Sequence, residues 1–175
     1  MSHHSLVKNL VVDTAVDTTK TKYMSGGLAL VNGGTIENVT VKGSVKGAND
    51  YVGGIVAKNN GYIYNSHSET DVDGVNYVGG AVGLNTGNIV KSSAKGKVTS
   101  SGTDAGGIVG RFTGGGIEYT ASYAVVYGNS NVGGIAGYMT DSAYIRYSYS
   151  KGEIGTLQQG GEAFGGLVGQ LYNTE

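Results

Sequence analysis

The sequence predicts an all-β chain wound as a parallel β-helix, a β-solenoid of about six coils of roughly 27 residues. Three observations carry that reading. Gly-Gly pairs fall at Gly26-Gly27, Gly53-Gly54, Gly79-Gly80, Gly106-Gly107, Gly133-Gly134 and Gly165-Gly166, spaced by 27, 26, 27, 27 and 32 residues. An isoleucine follows ten to twelve residues after the first five pairs, at Ile36, Ile63, Ile89, Ile117 and Ile145. Nine residues later comes a β-branched residue: Val45, Val72, Val98, Val126 and Ile154. Val7 and Val16 repeat that nine-residue spacing ahead of the first pair.

Each unit reads as three short extended segments. The first is the Gly-Gly run, as in Val52-Gly53-Gly54-Ile55-Val56-Ala57, with two apolar residues after every pair. The second begins at the recurring Ile and alternates with small or polar residues, and the third surrounds the late Val. Period-two patterning, β-branched enrichment and Gly, Asn, Asp and Ser breaks favour strands, and no segment sustains a helical period. Leu is too scarce for a leucine-rich repeat. Stacked identical columns suit strands that pair with their own copies one coil on, about 4.8 Å away, so six coils make a rod roughly 30 Å long. Parallel crossovers favour a right-handed wind.

The columns have physical reasons. Ile and Val at stacked inward positions fill a narrow core with stiff rotamers. Val52 and Ile55 flank two glycines and have opposite parity, so the pair is expected to form a corner or bulge, with φ values that a Cβ opposes. That gives Gly26, Gly27, Gly53, Gly54, Gly79, Gly80, Gly106, Gly107, Gly133, Gly134, Gly165 and Gly166 a structural role. Asn32, Asn59 and Asn85, six residues after the first Gly of their pairs, should stack at a turn, bond along the axis and tolerate left-handed backbone. Phe112, Met139 and Leu171 replace Asn there from the fourth coil on, which requires a different turn.

Composition excludes several classes. The chain has 33 Gly but no Pro, so it cannot be collagen, and 39% hydrophobic residues argue against disorder. Absence of Cys removes disulfide frameworks, thiol catalysis and cysteine-ligated metals. A formal charge of −1 offers no footprint for nucleic acid or an anionic membrane, and no apolar run reaches the roughly 18 residues of a spanning helix. Met1-Ser2-His3-His4-Ser5 reads as a vector-derived leader, which leaves 6–175 as a single solenoid domain. Neither end shows a recognisable cap, so the expectation is a piece of a longer protein, truncated at both ends.

The run Val52-Gly53-Gly54-Ile55-Val56-Ala57-Lys58-Asn59-Asn60-Gly61-Tyr62-Ile63-Tyr64-Asn65-Ser66 resembles the GLUG motif of bacterial surface proteins. Val78-Gly79-Gly80-Ala81-Val82-Gly83-Leu84-Asn85-Thr86-Gly87-Asn88-Ile89 carries the same resemblance, and imperfect copies extend over nearly the whole chain. Such repeats occur in cell-wall-anchored zinc metalloproteases of the streptococcal immunoglobulin A1 protease type, and also in adhesins. The lead-in Leu6-Val7-Lys8-Asn9-Leu10-Val11-Val12 looks like the segment that precedes the repeats in those proteases. The resemblance implies an extracellular place, in the cell wall or secreted, and a non-catalytic spacer or substrate-positioning module within a zinc-dependent parent. The alternative is a repeat segment of an adhesin that binds a host glycoprotein or glycan. The implied partners are the rest of the parent chain and host immunoglobulin A1 or another glycoprotein, with neither nucleic acid nor membrane insertion.

Chemistry-bearing residues are sparse. A zinc protease helix carries His-Glu-x-x-His, whereas this chain has only His3, His4 and His67. No catalytic, cofactor or metal residue is therefore assigned. His67, within Ser66-His67-Ser68-Glu69, reads as a solvated strand residue, because neighbours in a strand point to opposite faces. Six copies of a Gly-Gly run with no following helix mean architecture rather than phosphate binding. Asp71-Val72-Asp73-Gly74 begins like a calcium loop but lacks the remaining ligands, and reads as a turn. Asn38-Val39-Thr40 is a lone glycosylation sequon with no expected role in a bacterial protein. A β-helix polysaccharide lyase needs clustered Asp, Lys and Arg, yet Arg occurs only at Arg111 and Arg146. Tyrosine is the feature that architecture does not absorb. Tyr119, Tyr123, Tyr127, Tyr138, Tyr144, Tyr147 and Tyr149 crowd into two coils. Tyr119 and Tyr147, each two residues past the recurring Ile, should stack. Tyr119, Tyr123, Tyr147 and Tyr149 are the candidate partner-binding residues, and sheet stabilisation by stacked rings is the competing account.

Overall fold

A computed structural model describes residues 5–21, 23–140, 142–158 and 160–173. Those residues form an all-β solenoid of about six turns, and every strand pairing among them is parallel. The coil that starts at Val52 shows the repeat. A short strand, Val52–Gly53, bends at Gly54-Ile55 into Val56–Asn59, turns at Asn60-Gly61 into Tyr62–Tyr64, and turns again at Asn65 into His67–Gly74.

The columns stack as the spacing predicts. Val7, Ile36, Ile63, Ile89, Ile117 and Ile145 pair in one unbroken register. Val16, Val45, Val72, Val98, Val126 and Ile154 do the same. The strands after the Gly pairs form their own six-stranded sheet, from Ala29–Asn32 to Val168–Tyr172. Each fully buried Ile contributes roughly 1.5–3 kcal/mol by removal from water. Ile63, Ile89 and Ile117 are all fully buried. The extra residues of the last spacing lie between the strands Ile154–Thr156 and Glu162–Gly165.

The interior holds two apolar columns rather than one. Ile36, Ile55, Ile63, Ile89, Ile108, Ile117 and Phe112 build the larger, and Val45, Val52, Val72, Val78, Val98 and Val126 the smaller. A seam of mostly small residues lies between them, with Val41 and Ala94 packed into the larger. The second glycine of each of the first five pairs faces a column four residues ahead of the late Val: Gly27 meets Val41, Gly54 meets Ser68, Gly80 meets Ala94, Gly107 meets Ser122 and Gly134 meets Ser150, whereas Gly166 faces open space. A Cβ on Gly54 would lie 2.2 Å from Ser68 Oγ, so the coil is pinched shut there.

This corrects the reason for the glycines. The pairs do bend the chain, and Val52 and Ile55 are both fully buried despite their parity. No residue of the six pairs has positive φ, however. The first glycine is required by close approach instead: a Cβ on Gly53 would sit 2.1 Å from the carbonyl oxygen of Val56, and on Gly106 1.9 Å from that of Val109. Positive φ falls elsewhere, at Gly43, Gly96, Gly115 and Gly160 and in two columns of non-Gly residues. One comprises Asn9, Asn38, Asn65, Lys91, Tyr119 and Tyr147, the other Tyr51, Tyr77, Asp104, Asn131 and Ala163.

The asparagine stack forms as expected, without left-handed backbone. Asn32 Nδ2 donates to Asn59 Oδ1 at 2.8 Å, and Asn59 Nδ2 to Asn85 Oδ1 at 2.7 Å, all within the buried interior. The same side chains close their own turns, with Gly34 N donating to Asn32 Oδ1 and Asn85 Nδ2 donating to the carbonyl of Gly87. Phe112, Met139 and Leu171 continue the column in register. Their turns do differ: the chain takes five residues from Phe112 to Ile117 and six from Met139 to Ile145, against four from Asn85 to Ile89. Without an amide to close it, the turn is longer, and Gly115 takes φ 78°.

Candidate binding surface

The candidate tyrosines sit on corners whose backbone is satisfied by a hydroxyl ladder. Ser66, Ser92, Thr120 and Ser148 directly follow the left-handed corner residues. Each bonds the carbonyl two residues back, as Ser66 Oγ does to Tyr64 at 2.9 Å and Ser148 Oγ to Arg146 at 2.8 Å. Each also accepts from the coil before, as Thr120 Oγ1 does from Ser92 N and Ser148 Oγ from Thr120 N at 3.1 Å. The corner geometry is thus set from below, and its side chain is pushed outward.

In the early coils that corner holds asparagine. Asn38 Nδ2 donates to Asn9 Oδ1 at 2.9 Å, and Asn65 Nδ2 to Asn38 Oδ1 at 3.3 Å, at φ values of 57°, 53° and 46° for Asn9, Asn38 and Asn65. Asn tolerates this region better than most residues with a Cβ. Tyr119 and Tyr147 adopt the same backbone, at φ 49° and 50°. Their rings stack as the spacing predicts, with centroids 4.9 Å apart and planes 13° from parallel, yet they remain 54% and 71% exposed. A same-face aromatic pair contributes about 0.2–1 kcal/mol. A non-Gly residue held left-handed costs about 1–3 kcal/mol, so folding alone gives little reason for tyrosine here.

Tyr123 and Tyr149 form a second, edge-to-face pair, centroids 5.8 Å apart at 84°, joined through their hydroxyls. That hydrogen bond pushes the Tyr123 phenol above its ordinary range. The four candidate residues therefore make two ring pairs, one along the corner column and one diagonal, since Tyr149 stands in register with Ala121 rather than with Tyr123. The structure adds three groups that sequence reasoning did not assign. Glu118 Oε1 accepts from Arg146 Nη2 at 2.9 Å and from the Tyr144 hydroxyl at 3.0 Å, while the Arg146 guanidinium lies 4.4 Å over the Tyr144 ring. The bond from Arg146, then that from Tyr144, holds the Glu118 carboxyl below the usual range. Glu118 and Arg146 directly precede Tyr119 and Tyr147, and that repeated placement was the available signal.

A second aromatic array went unread in the sequence. Lys58 lies 4.3 Å over Tyr51, Tyr51 packs 5.0 Å from Tyr77, and Arg111 is sandwiched between Tyr77 at 4.2 Å and Tyr138 at 4.7 Å. Tyr138 stacks on Tyr172 at 6.2 Å. Beneath it, the fully buried Asp104 carboxylate accepts from Arg111 Nε and Asn131 Nδ2, each at 2.6 Å. Tyr51, Tyr77 and Tyr138 are half-buried and their cations are occupied, so the array holds coils together, with only the terminal ring of Tyr172 exposed. Tyr51 and Tyr77 both stand immediately before Val-Gly-Gly, a repetition visible in the sequence.

Other sequence readings find their places. His67 lies in a strand as expected, but it is half-buried rather than solvated, with Nδ1 2.8 Å from Ser93 Oγ. Asp71-Val72-Asp73-Gly74 is strand rather than turn, and Asp71 Oδ1 accepts from Lys97 N at 2.8 Å. No three His, Asp or Glu side chains converge among the described residues, so the residues present do not fit a zinc or calcium ion. The melting temperature is accordingly expected to be the same with and without EDTA in a scanning calorimeter; a drop of several degrees would reveal a structural metal.

In comparisons with known proteins, no family model and no curated protein matched the chain.

Proposed function

We propose that the chain is a non-catalytic module of a bacterial cell-surface zinc metalloprotease of the immunoglobulin A1 protease type, acting as a rigid spacer or substrate-positioning surface. The observation that carries the mechanical part is the unbroken register of the Ile, Val and Gly columns through all coils. In such a solenoid each coil is held by its neighbours, so the module moves as one stiff rod. The GLUG-like repeats support the place in a surface protease. The exposed tyrosine corner favours a second reading, an adhesin segment that grips a host glycoprotein or glycan with no hydrolase attached.

The reading frame that encodes the solenoid separates the two. It is expected to contain His-Glu-x-x-His outside these residues. Further binding repeats with no such motif would support the adhesin instead. The purified chain is expected to leave immunoglobulin A1 intact, as read by heavy-chain cleavage on a gel. Cleavage that survives rigorous repurification would overturn the non-catalytic assignment.

A further inference from the structure

We infer that the corner formed by Tyr119 and Tyr147, together with Tyr144, Tyr149 and the Glu118–Arg146 pair, is a docking site for a neutral oligosaccharide. The inference goes beyond the spacer reading and does not depend on it. Three observations lead there. First, the column that carries asparagine in the first three coils and Lys91 in the next turns to tyrosine in the following two at an unchanged left-handed backbone, and the rings stay more than half exposed. Strain kept at an exposed aromatic, where the chain itself shows an easier residue, points to a use outside folding.

Second, the groups have the mixed character a sugar requires. Flat ring faces suit the C–H face of a pyranose, while phenol hydroxyls, the Arg146 guanidinium and the Glu118 carboxylate can bond its hydroxyl rim. Tyrosine offers this area with few rotatable bonds, so little freedom is lost on contact. Third, the charges nearly balance. Glu118 is paired with Arg146, Glu153 accepts from the Tyr127 hydroxyl at 2.8 Å while Lys97 lies 5.6 Å over the same ring, and Lys151 lies 5.6 Å over the Tyr149 ring, which leaves one cation in excess. A sulfated or sialylated chain, charged at every few rings, would call for a larger surplus of cations, and an acidic peptide likewise. Two ring pairs, one along the corner column and one diagonal to the register, each spanning two coils, present an extended surface rather than a point, which suits a chain of sugar rings.

The test titrates the intact chain with cellohexaose, chitohexaose and N-acetyllactosamine oligomers as neutral probes, and with a heparin hexasaccharide as the acidic one. Isothermal calorimetry and intrinsic tyrosine fluorescence are the readouts, the latter free of interference because the chain has no Trp. At least one neutral probe is expected to bind. The double variant Tyr119→Asn, Tyr147→Asn restores the residue of the early coils, so its melting temperature should hold or rise while affinity falls by about tenfold or more. Arg146→Gln, which leaves the corner residues alone, should weaken binding several-fold and serves if the double variant folds poorly. Absence of binding by every neutral probe overturns the proposal. So does binding that both variants leave within about twofold, or binding confined to the heparin probe. The absence of His-Glu-x-x-His from the encoding frame would defeat the protease reading and leave this one standing.

Discussion

Gly107→Val is expected to unfold the chain under conditions where the wild type is stable. A Cβ at Gly107 would stand 2.1 Å from Ser122 Oγ and 2.3 Å from the carbonyl oxygen of Gly134. The hydroxyl belongs to the far wall of the same coil, and the carbonyl to the coil stacked above. Neither can withdraw, because Ser122 is fully buried and the Gly134 position is fixed by the ladder in which Gly107 N donates to Gly133 at 3.1 Å. Overpacking usually costs 1–3 kcal/mol, and a clash against backbone leaves no rotamer to relieve it, so a loss above about 4 kcal/mol is expected. Gly166→Ala is the internal control, since nothing lies within 4 Å of its added Cβ, and it should leave the melting temperature unchanged. Urea unfolding of both variants checks the pair. A Gly107→Val variant within a few degrees of wild type would show that the seam between the two cores can open.

That seam explains how much of the fold could be read from the sequence. The Ile and Val columns were legible because side chains that fill a repeating core must recur at the repeat length, and Val7 with Val16 betrayed the first coil even without a Gly pair. The glycines were legible in position and not in cause. A sequence can show that a Cβ is forbidden, whereas positive φ and close approach leave the same mark. The distinguishing signal lay in another column: Ser68, Ala94, Ser122 and Ser150 stay small because they face the second glycines. Those contacts cross a single coil, from wall to wall, at separations that drift from 14 to 16 residues, so no one spacing announces them.

The binding surface was legible in the same partial way. Stacking of Tyr119 on Tyr147 follows from register alone. Their left-handed backbone does not, since tyrosine is a poor marker for that region and the asparagines of the first three coils were the only hint. The Tyr77–Arg111–Tyr138 sandwich joins two columns: Arg111 and Tyr138 pair in register 27 residues apart, whereas Tyr77 belongs to the column of left-handed corners, so the repeat length alone gathers only two of its three members.

The second large effect is expected at that sandwich. Asp104 is fully buried on a corner at φ 58°, and Arg111, with a side chain 32% exposed, is its only cationic partner among the described residues. Burial raises the Asp104 carboxyl above its usual range, against the opposing pull of Asn131 and Arg111. The native chain therefore holds that proton more tightly than the unfolded chain does. Asp104 contributes stability at pH below the ordinary carboxylate value, and loses it as pH rises through the raised native one. Arg111→Ala removes the charge that makes ionisation tolerable and strips the cation from two rings, Tyr77 and Tyr138. Removing one partner of a buried pair costs about 3–5 kcal/mol, and the partial exposure of Arg111 places the expected loss near the lower figure, about 3 kcal/mol at pH 7. The deficit should shrink on acidification, as Asp104 takes up its proton and no longer needs a counter-charge. Adding Asp104→Asn to Arg111→Ala should recover most of the loss at pH 7, because a neutral amide suits the left-handed corner, as Asn131 does one coil on at φ 52°. Thermal melts of the single and double variants at pH 4 and pH 7 decide it. If the double variant is no more stable than Arg111→Ala at pH 7, the loss came from the rings and not from a stranded carboxylate.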